Sequence, residues 1–207
     1  VTRLRDLEEK LQRLEHQLAV YQRISRLMVR ELSLAETLHA IVKLVQEFTA
    51  CDACFIYLID GEDLVLCASS RPHPAEIGRL RMHVGEGLTG WVARERKLLA
   101  ISSEAYKDPR FKGFSELPED SYEAFLSAPV IARNRVVGVI NVQHRAPHRH
   151  SGAEMELLTT VGEQVGCLLV VARMPPQLVE QVNHVELVRT HGHIARADEA
   201  VPGRKGA

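Results

Sequence analysis

Apolar residues recur from the start of the chain at alternating steps of three and four: Leu4, Leu7, Leu11, Leu14, Leu18 and Tyr21. That narrow strip is the a/d seam of a heptad repeat. With Leu4 at position a, Arg3 and Lys10 fall at g and Glu8 and Glu15 at e. A parallel pair of such helices sets Arg3 against Glu8 and Lys10 against Glu15 of its partner, so the pattern predicts a parallel homodimer. After Tyr21 the apolar positions slip to Ile24, Leu27, Met28 and Leu32, as expected where a helix leaves its partner and meets a globular body.

The pattern then changes period several times. "SLAE", Ser33 to Glu36, is a capping box that opens a helix with Leu34, Leu38, Ile41, Val45 and Phe48 on one face, ending near Ala50. "ACFIYLIDGEDLVLCASS" is two apolar runs joined at Asp60-Gly61, a β-hairpin. Leu80, Met82 and Val84 alternate with Arg79, Arg81 and His83, a strand with one wet face. "FLSAPVIARNRVVGVINVQH" predicts a second hairpin turning at Arg133-Asn134-Arg135. A second capping box, Ser151 to Glu154, starts a closing helix with Met155, Leu158, Val161, Val165 and Leu169 inward. Met174-Pro175-Pro176 stops it. Leu178, Val182, Val185 and Leu187 or Val188 suggest one more amphipathic helix before a polar tail expected to be disordered. The order is that of an α+β fold, an antiparallel sheet with helices at its sides. The expected division is a coiled-coil helix over 1–28, a globular domain over 29–173, and a C-terminal helix and tail over 174–207.

"GEGLTG", residues 85 to 90, has the G-x-G-x-x-G spacing of a dinucleotide loop. That fingerprint needs a buried parallel βαβ unit, whereas the strand before Gly85 alternates charged with apolar residues, and Glu86 puts a carboxylate where a pyrophosphate would lie. The glycines therefore read as turn residues that start a short helix at Leu88.

Composition changes this picture little. In 207 residues, 45% hydrophobic, 26 Lys and Arg balance 27 Asp and Glu to a formal charge of −1. Such a chain buries one sizeable core and carries no global field toward nucleic acid or an anionic membrane. The apolar stretch "CLLVVA" is too short to span a bilayer and the N-terminus lacks a secretory pattern, so a soluble cytoplasmic protein is expected. Val1 in place of Met carries the expectation that something precedes it. Cys51, Cys54, Cys67 and Cys167 are too few and too irregular for a disulfide framework.

"VGEGLTGWVARERKLLAISSEAYKDPRF" followed by "FLSAPVIARNRVVGVINVQH" resembles the GAF domain, a PAS-like sensory module, and in particular the variety fused to nitrogen-type phosphotransferase enzyme I. The resemblance runs over about residues 22–172. It implies a six-stranded antiparallel sheet with a small-molecule pocket between the sheet and the segment from Gly85 to Phe125. The wall residues it implies are Tyr57, Trp91, Phe111 and Phe125, with Ser102, Asp108, Arg110 and Ser127 as polar contacts. The phosphotransferase portion is absent, and that family's phosphoryl chemistry is not carried over.

Other chemistry is weaker. GAF-like enzymes that reduce free methionine sulfoxide resemble one another in a Cys just after the Gly-x-Gly turn, where this chain has Leu88-Thr89-Gly90, and a Thr supplies no thiolate. The Asn-Lys-x-Phe-Asp signature of cyclic-nucleotide-binding relatives is replaced by "QHRAPHRH". His144, His148 and His150 crowd that loop, but interleaved with arginines on a turn they read as a solvated segment, and no metal is assigned. Cys51 and Cys54 form C-x-x-C without a second pair, which reads as two buried small hydrophobes. The expectation is a non-catalytic signalling module that senses an unidentified small ligand, transmits to a downstream protein through its dimeric stalk, and has no nucleic-acid or membrane partner. The alternative is a dimeric scaffold whose pocket has filled in. No cofactor is assigned.

Overall fold

The computed structural model describes residues 2–72, 74–113 and 122–172. The chain divides into two units, Val1–Leu169 and Val170–Ala207, and the account below concerns the first, apart from the last turn of its closing helix. The stop at Pro175-Pro176 and the helix and tail expected after it lie outside the described residues.

α1 (Thr2–Met28) is one unbroken helix with two apolar faces. Leu4, Leu7, Leu11, Leu14 and Leu18 are each more than half exposed, whereas Gln17, Val20 and Ile24 are buried against the rest of the domain. At 3.6 residues per turn the two faces lie about a third of a turn apart. Packing on the domain thus leaves the leucine strip uncovered. Tyr21, on the strip by spacing, leans instead onto the core and accepts a 2.9 Å hydrogen bond from Gln17 Nε2.

α2 (Leu34–Thr49) begins at the capping box: Ser33 Oγ accepts from the Glu36 amide, and the Glu36 carboxylate accepts from the Ser33 amide at 2.9 Å. It ends where Ala50 turns left-handed at φ 50°. β1 (Ala53–Asp60) and β2 (Asp63–Ser69) form the first hairpin, and β3 (Arg81–His83) adds to β2. α3 (Gly87–Glu95) follows, then β4 (Leu99–Ile101) and a single 3-10 turn at Ala105–Lys107. β5 (Ala124–Ala132) and β6 (Arg135–His144) make the second hairpin, with Arg133 and Asn134 both at positive φ in its turn. α4 (Gly152–Ala172) closes the domain.

The strands form one antiparallel sheet in the order β3-β2-β1-β6-β5-β4. No strand pair in it is parallel, which removes the dinucleotide reading of "GEGLTG" at its root. Gly85 and Gly87 hold φ of 95° and 67°, and the turn is closed by the Gly85 amide on the Gly90 carbonyl at 2.8 Å.

Alternation along the strands feeds two cores. Cys54, Ile56, Leu126, Ala128, Ile140 and Val142 face α1, α2 and α4. Phe55, Tyr57, Leu66 and Val139 face the other way and pack with Val92 and Ala93 of α3. α4 is long and apolar enough to cross a membrane by composition, yet Leu157, Leu158, Val161, Val165 and Leu169 are buried in the first of these cores. Its approach to β5 depends on glycine: a Cβ on Gly166 would overlap the Ile131 carbonyl oxygen, and one on Gly162 would lie 2.8 Å from that of Pro129.

Two expectations need correction. The His loop is not a solvated segment, because His144 and His150 are buried, and the backbone amides of Arg145 and His148 are tied to the Asp52 carboxylate at 2.7 Å and the Ser102 carbonyl at 2.8 Å. The apolar pattern predicts five strands, whereas the residues between α3 and β5 hold a sixth, β4, beside the single 3-10 turn; a three-residue strand without alternation leaves no periodic signal.

Candidate ligand site

Inner-face positions of β5 and β6 carry polar groups where alternation calls for apolar ones. Ser127 and Asn141 are cross-strand partners, both fully buried. The Ser127 hydroxyl donates to Asn141 Oδ1 at 2.6 Å, and Asn141 Nδ2 donates to Thr89 Oγ1 at 2.8 Å. This chain of hydrogen bonds fastens α3 to the middle of the sheet, since a buried amide or hydroxyl left unpaired is costly.

Outside it lies a charged and aromatic layer. The Arg110 guanidinium sits 4.6 Å from the centroid of the half-buried Trp91 ring, within cation–π range. It is held there by Asp108 through a two-pronged contact, Nε to Oδ1 at 2.8 Å and Nη2 to Oδ2 at 2.7 Å. The Arg110 amide also donates to Oδ1 at 2.9 Å. The side-chain hydrogen bonds from Arg110 hold the Asp108 carboxyl down to about 2, from an ordinary 3.8. Lys112 pairs with Glu86 at 2.6 Å and ties the same segment to the turn that opens α3.

The eight residues implied by the GAF resemblance thus fall into three groups. Trp91, Asp108 and Arg110 form one contact at the edge of α3. Tyr57, Ser127 and Phe125 are buried beneath, Tyr57 in the inner core, Ser127 in the polar chain and Phe125 beside Leu88 and Ala105. Ser102 and Phe111 are exposed. Thr89 and Asn141 were missed as site residues; Asn141 was open to detection as a polar residue on the apolar face of a strand. Residues 114–121, part of the segment expected to cover the pocket, lie outside the described residues.

A cleft of about 370 Å³ opens elsewhere, between α1 and α2 on the opposite side of the sheet, lined by Arg23, Arg26, Arg30, Lys43 and Glu47 among others. Cys51 and Cys54 are buried, and burial pushes the Cys51 thiol up and the Cys54 thiol well up, so neither is poised as a thiolate.

The sheet order, the α3 turn and the polar chain can be set against known proteins. Residues 31–169, more than half of the chain, match the GAF domain family. The chain belongs to that family. Among solved structures it is similar to the GAF domain of a phosphoenolpyruvate-protein phosphotransferase from Coxiella burnetii, at 25% identity and a TM-score of 0.72, covering 77% of this chain and 95% of that one. The corresponding GAF domain from Acinetobacter is 30% identical with a TM-score of 0.69, covering 75% of this chain and 93% of that one. A free methionine-R-sulfoxide reductase from Neisseria meningitidis, solved with its substrate, shares the fold at 14% identity and a TM-score of 0.65, covering 76% of this chain and 90% of that one. No curated protein matches. Among these neighbours the fold occurs both as a domain of phosphotransferases and as a reductase, so the reading of this GAF domain has to rest on its own residues.

Proposed function

We propose that this GAF domain is a non-catalytic cytoplasmic sensor that binds a small ligand on the α3 side of its sheet and transmits through a parallel homodimeric coiled coil. The observation that carries the ligand site is the Trp91–Arg110–Asp108 contact above the buried Ser127–Asn141–Thr89 chain. A ring face, a fixed cation and a carboxylate stand beside one another there. Trp91 stacks on the ligand, Arg110 and Asp108 fix its polar groups, and the exposed Phe111 and Ser102 stand nearest the solvent side of the site.

Transmission is a population shift, in which the ligand binds one arrangement of the α3 layer better than another. The coupling runs across the sheet to α1, whose Val20 and Ile24 touch the opposite core and whose leucine strip sets the dimer. A downstream signalling protein reads the change.

A scaffold without ligand is the second reading. It is favoured by Tyr57, Phe125 and Ser127, which already fill their surroundings with apolar packing and a satisfied hydrogen bond. Native mass spectrometry of the protein purified from cells, before and after denaturation, separates the two. A small mass that leaves on denaturation, and that is lost in Arg110→Ala, is the expected result. A mass-clean protein that also gives no shift in a metabolite thermal screen overturns the sensor and leaves the scaffold.

A further inference from the structure

His144 ends β6, His148 and His150 follow on the connecting loop, and Glu154 lies in the first turn of α4. We infer that these four side chains form a binding site for a divalent transition-metal ion, Zn²⁺ above all, that staples the β6–α4 junction. One ligand atom from each lies within 4.8 Å of all the others. Around Zn²⁺, with bonds of about 2.0–2.2 Å, such atoms sit roughly 3.4 Å apart, so the outermost pair needs to draw in by only about 1 Å or a little more. Three imidazoles and a carboxylate are a donor set that zinc accepts as a closed, four-coordinate structural site.

The buried nitrogens give the independent reason. His144 is 6% and His150 7% exposed, yet His144 Nε2 and both nitrogens of His150 have no hydrogen-bond partner. Buried polar atoms are rarely left so.

The rings are also gathered into direct contact. His144 stacks on His148 with centroids 3.9 Å apart, and His150 meets His148 edge-on at 5.0 Å. Glu154 is pre-oriented: the Ser151 amide holds Oε2 at 2.6 Å, while Oε1 faces His148 Nε2 at 2.8 Å. Arg145 and Arg149 flank these ligands, both exposed, and Asp52 approaches from the far end of the loop.

The test is Zn²⁺ titration of the full chain after chelator treatment and dialysis, followed by calorimetry and by melting temperature, with Co²⁺ absorption reporting four-coordinate geometry. One equivalent is expected to bind and to raise the melting temperature, with affinity falling as pH drops and the imidazoles protonate. His148→Ala, at a half-exposed position that tolerates truncation, and Glu154→Gln each weaken binding at least about tenfold. His191→Ala/His193→Ala, in the tail outside the described residues, leaves it unchanged. Absence of binding at micromolar Zn²⁺, or binding that survives His148→Ala and disappears with the tail histidines, overturns the site.

Discussion

At Asn141 a single side-chain amide joins two strands and a helix, accepting a hydrogen bond from Ser127 and donating one to Thr89, all three out of water. Truncation strands two buried hydroxyls, and each unsatisfied group costs about 1–3 kcal/mol. Asn141→Ala should lower the unfolding free energy by about 2–4 kcal/mol in urea, with an unchanged m-value. The alternation of β6 exposes Asn141 as unusual, but Thr89 lies 52 positions away in sequence, and no local pattern announces a contact of that range. Asp108 permits a second prediction at this scale. Its pKa is depressed in the folded state, to about 2 from an ordinary 3.8, so the stabilisation is complete above about pH 4 and is lost as pH falls toward 2. Because Arg110 is about a third exposed, solvent screening limits the effect to about 1 kcal/mol. Asp108→Asn should remove that much at pH 7, and the gap between variant and wild type should close over that acid window in pH-dependent denaturation. "DPRF" marked the segment through a family resemblance; that Arg110 folds back over Trp91 follows from three-dimensional placement alone.

Elements with repeated or reciprocal signals were legible, and those that depend on a distant neighbour were not. Both capping boxes form, because Ser33 and Glu36, like Ser151 and Glu154, satisfy each other's amides within four residues. Both hairpins form where Asp60-Gly61 and Arg133-Asn134 allow positive φ. β4 was not read, since three residues at a sheet edge owe their conformation to pairing with Phe125 to Ser127. The His loop was misjudged because interleaved arginines suggest solvent, while the burial of His144 and His150 is decided by distant neighbours, the start of β5 beside His144 and the first turn of α4 beside the loop. α4 supplies the test at this scale. Gly162 and Gly166 are small because the helix lies on the β5 backbone, so Gly166→Ala forces helix and strand apart. A net loss of about 1–3 kcal/mol is expected in thermal or urea unfolding, opposite in sign to the gain of about 1 kcal/mol that Gly→Ala gives in an exposed helix.

For the whole molecule the account turns on α1, which uses Gln17, Val20 and Ile24 to hold its own domain and leaves Leu4, Leu7, Leu11, Leu14 and Leu18 at heptad spacing in solvent. Five large apolar side chains in one strip on a single helix form the surface that the proposed parallel dimer buries, with the e and g charges of the heptad pattern set to match. Ligand sensing gains an output only if that pairing exists, because the shift on the α3 side must change the geometry of something outside the domain. The most direct test is sedimentation velocity of wild type and Leu11→Asp at several concentrations, with circular dichroism to confirm that the variant keeps the domain fold. The account predicts a wild-type dimer and a folded Leu11→Asp monomer, with dimer affinity reduced at least about a hundredfold, a loss of about 2.7 kcal/mol. A wild type that stays monomeric, or a Leu11→Asp variant that remains dimeric, contradicts it.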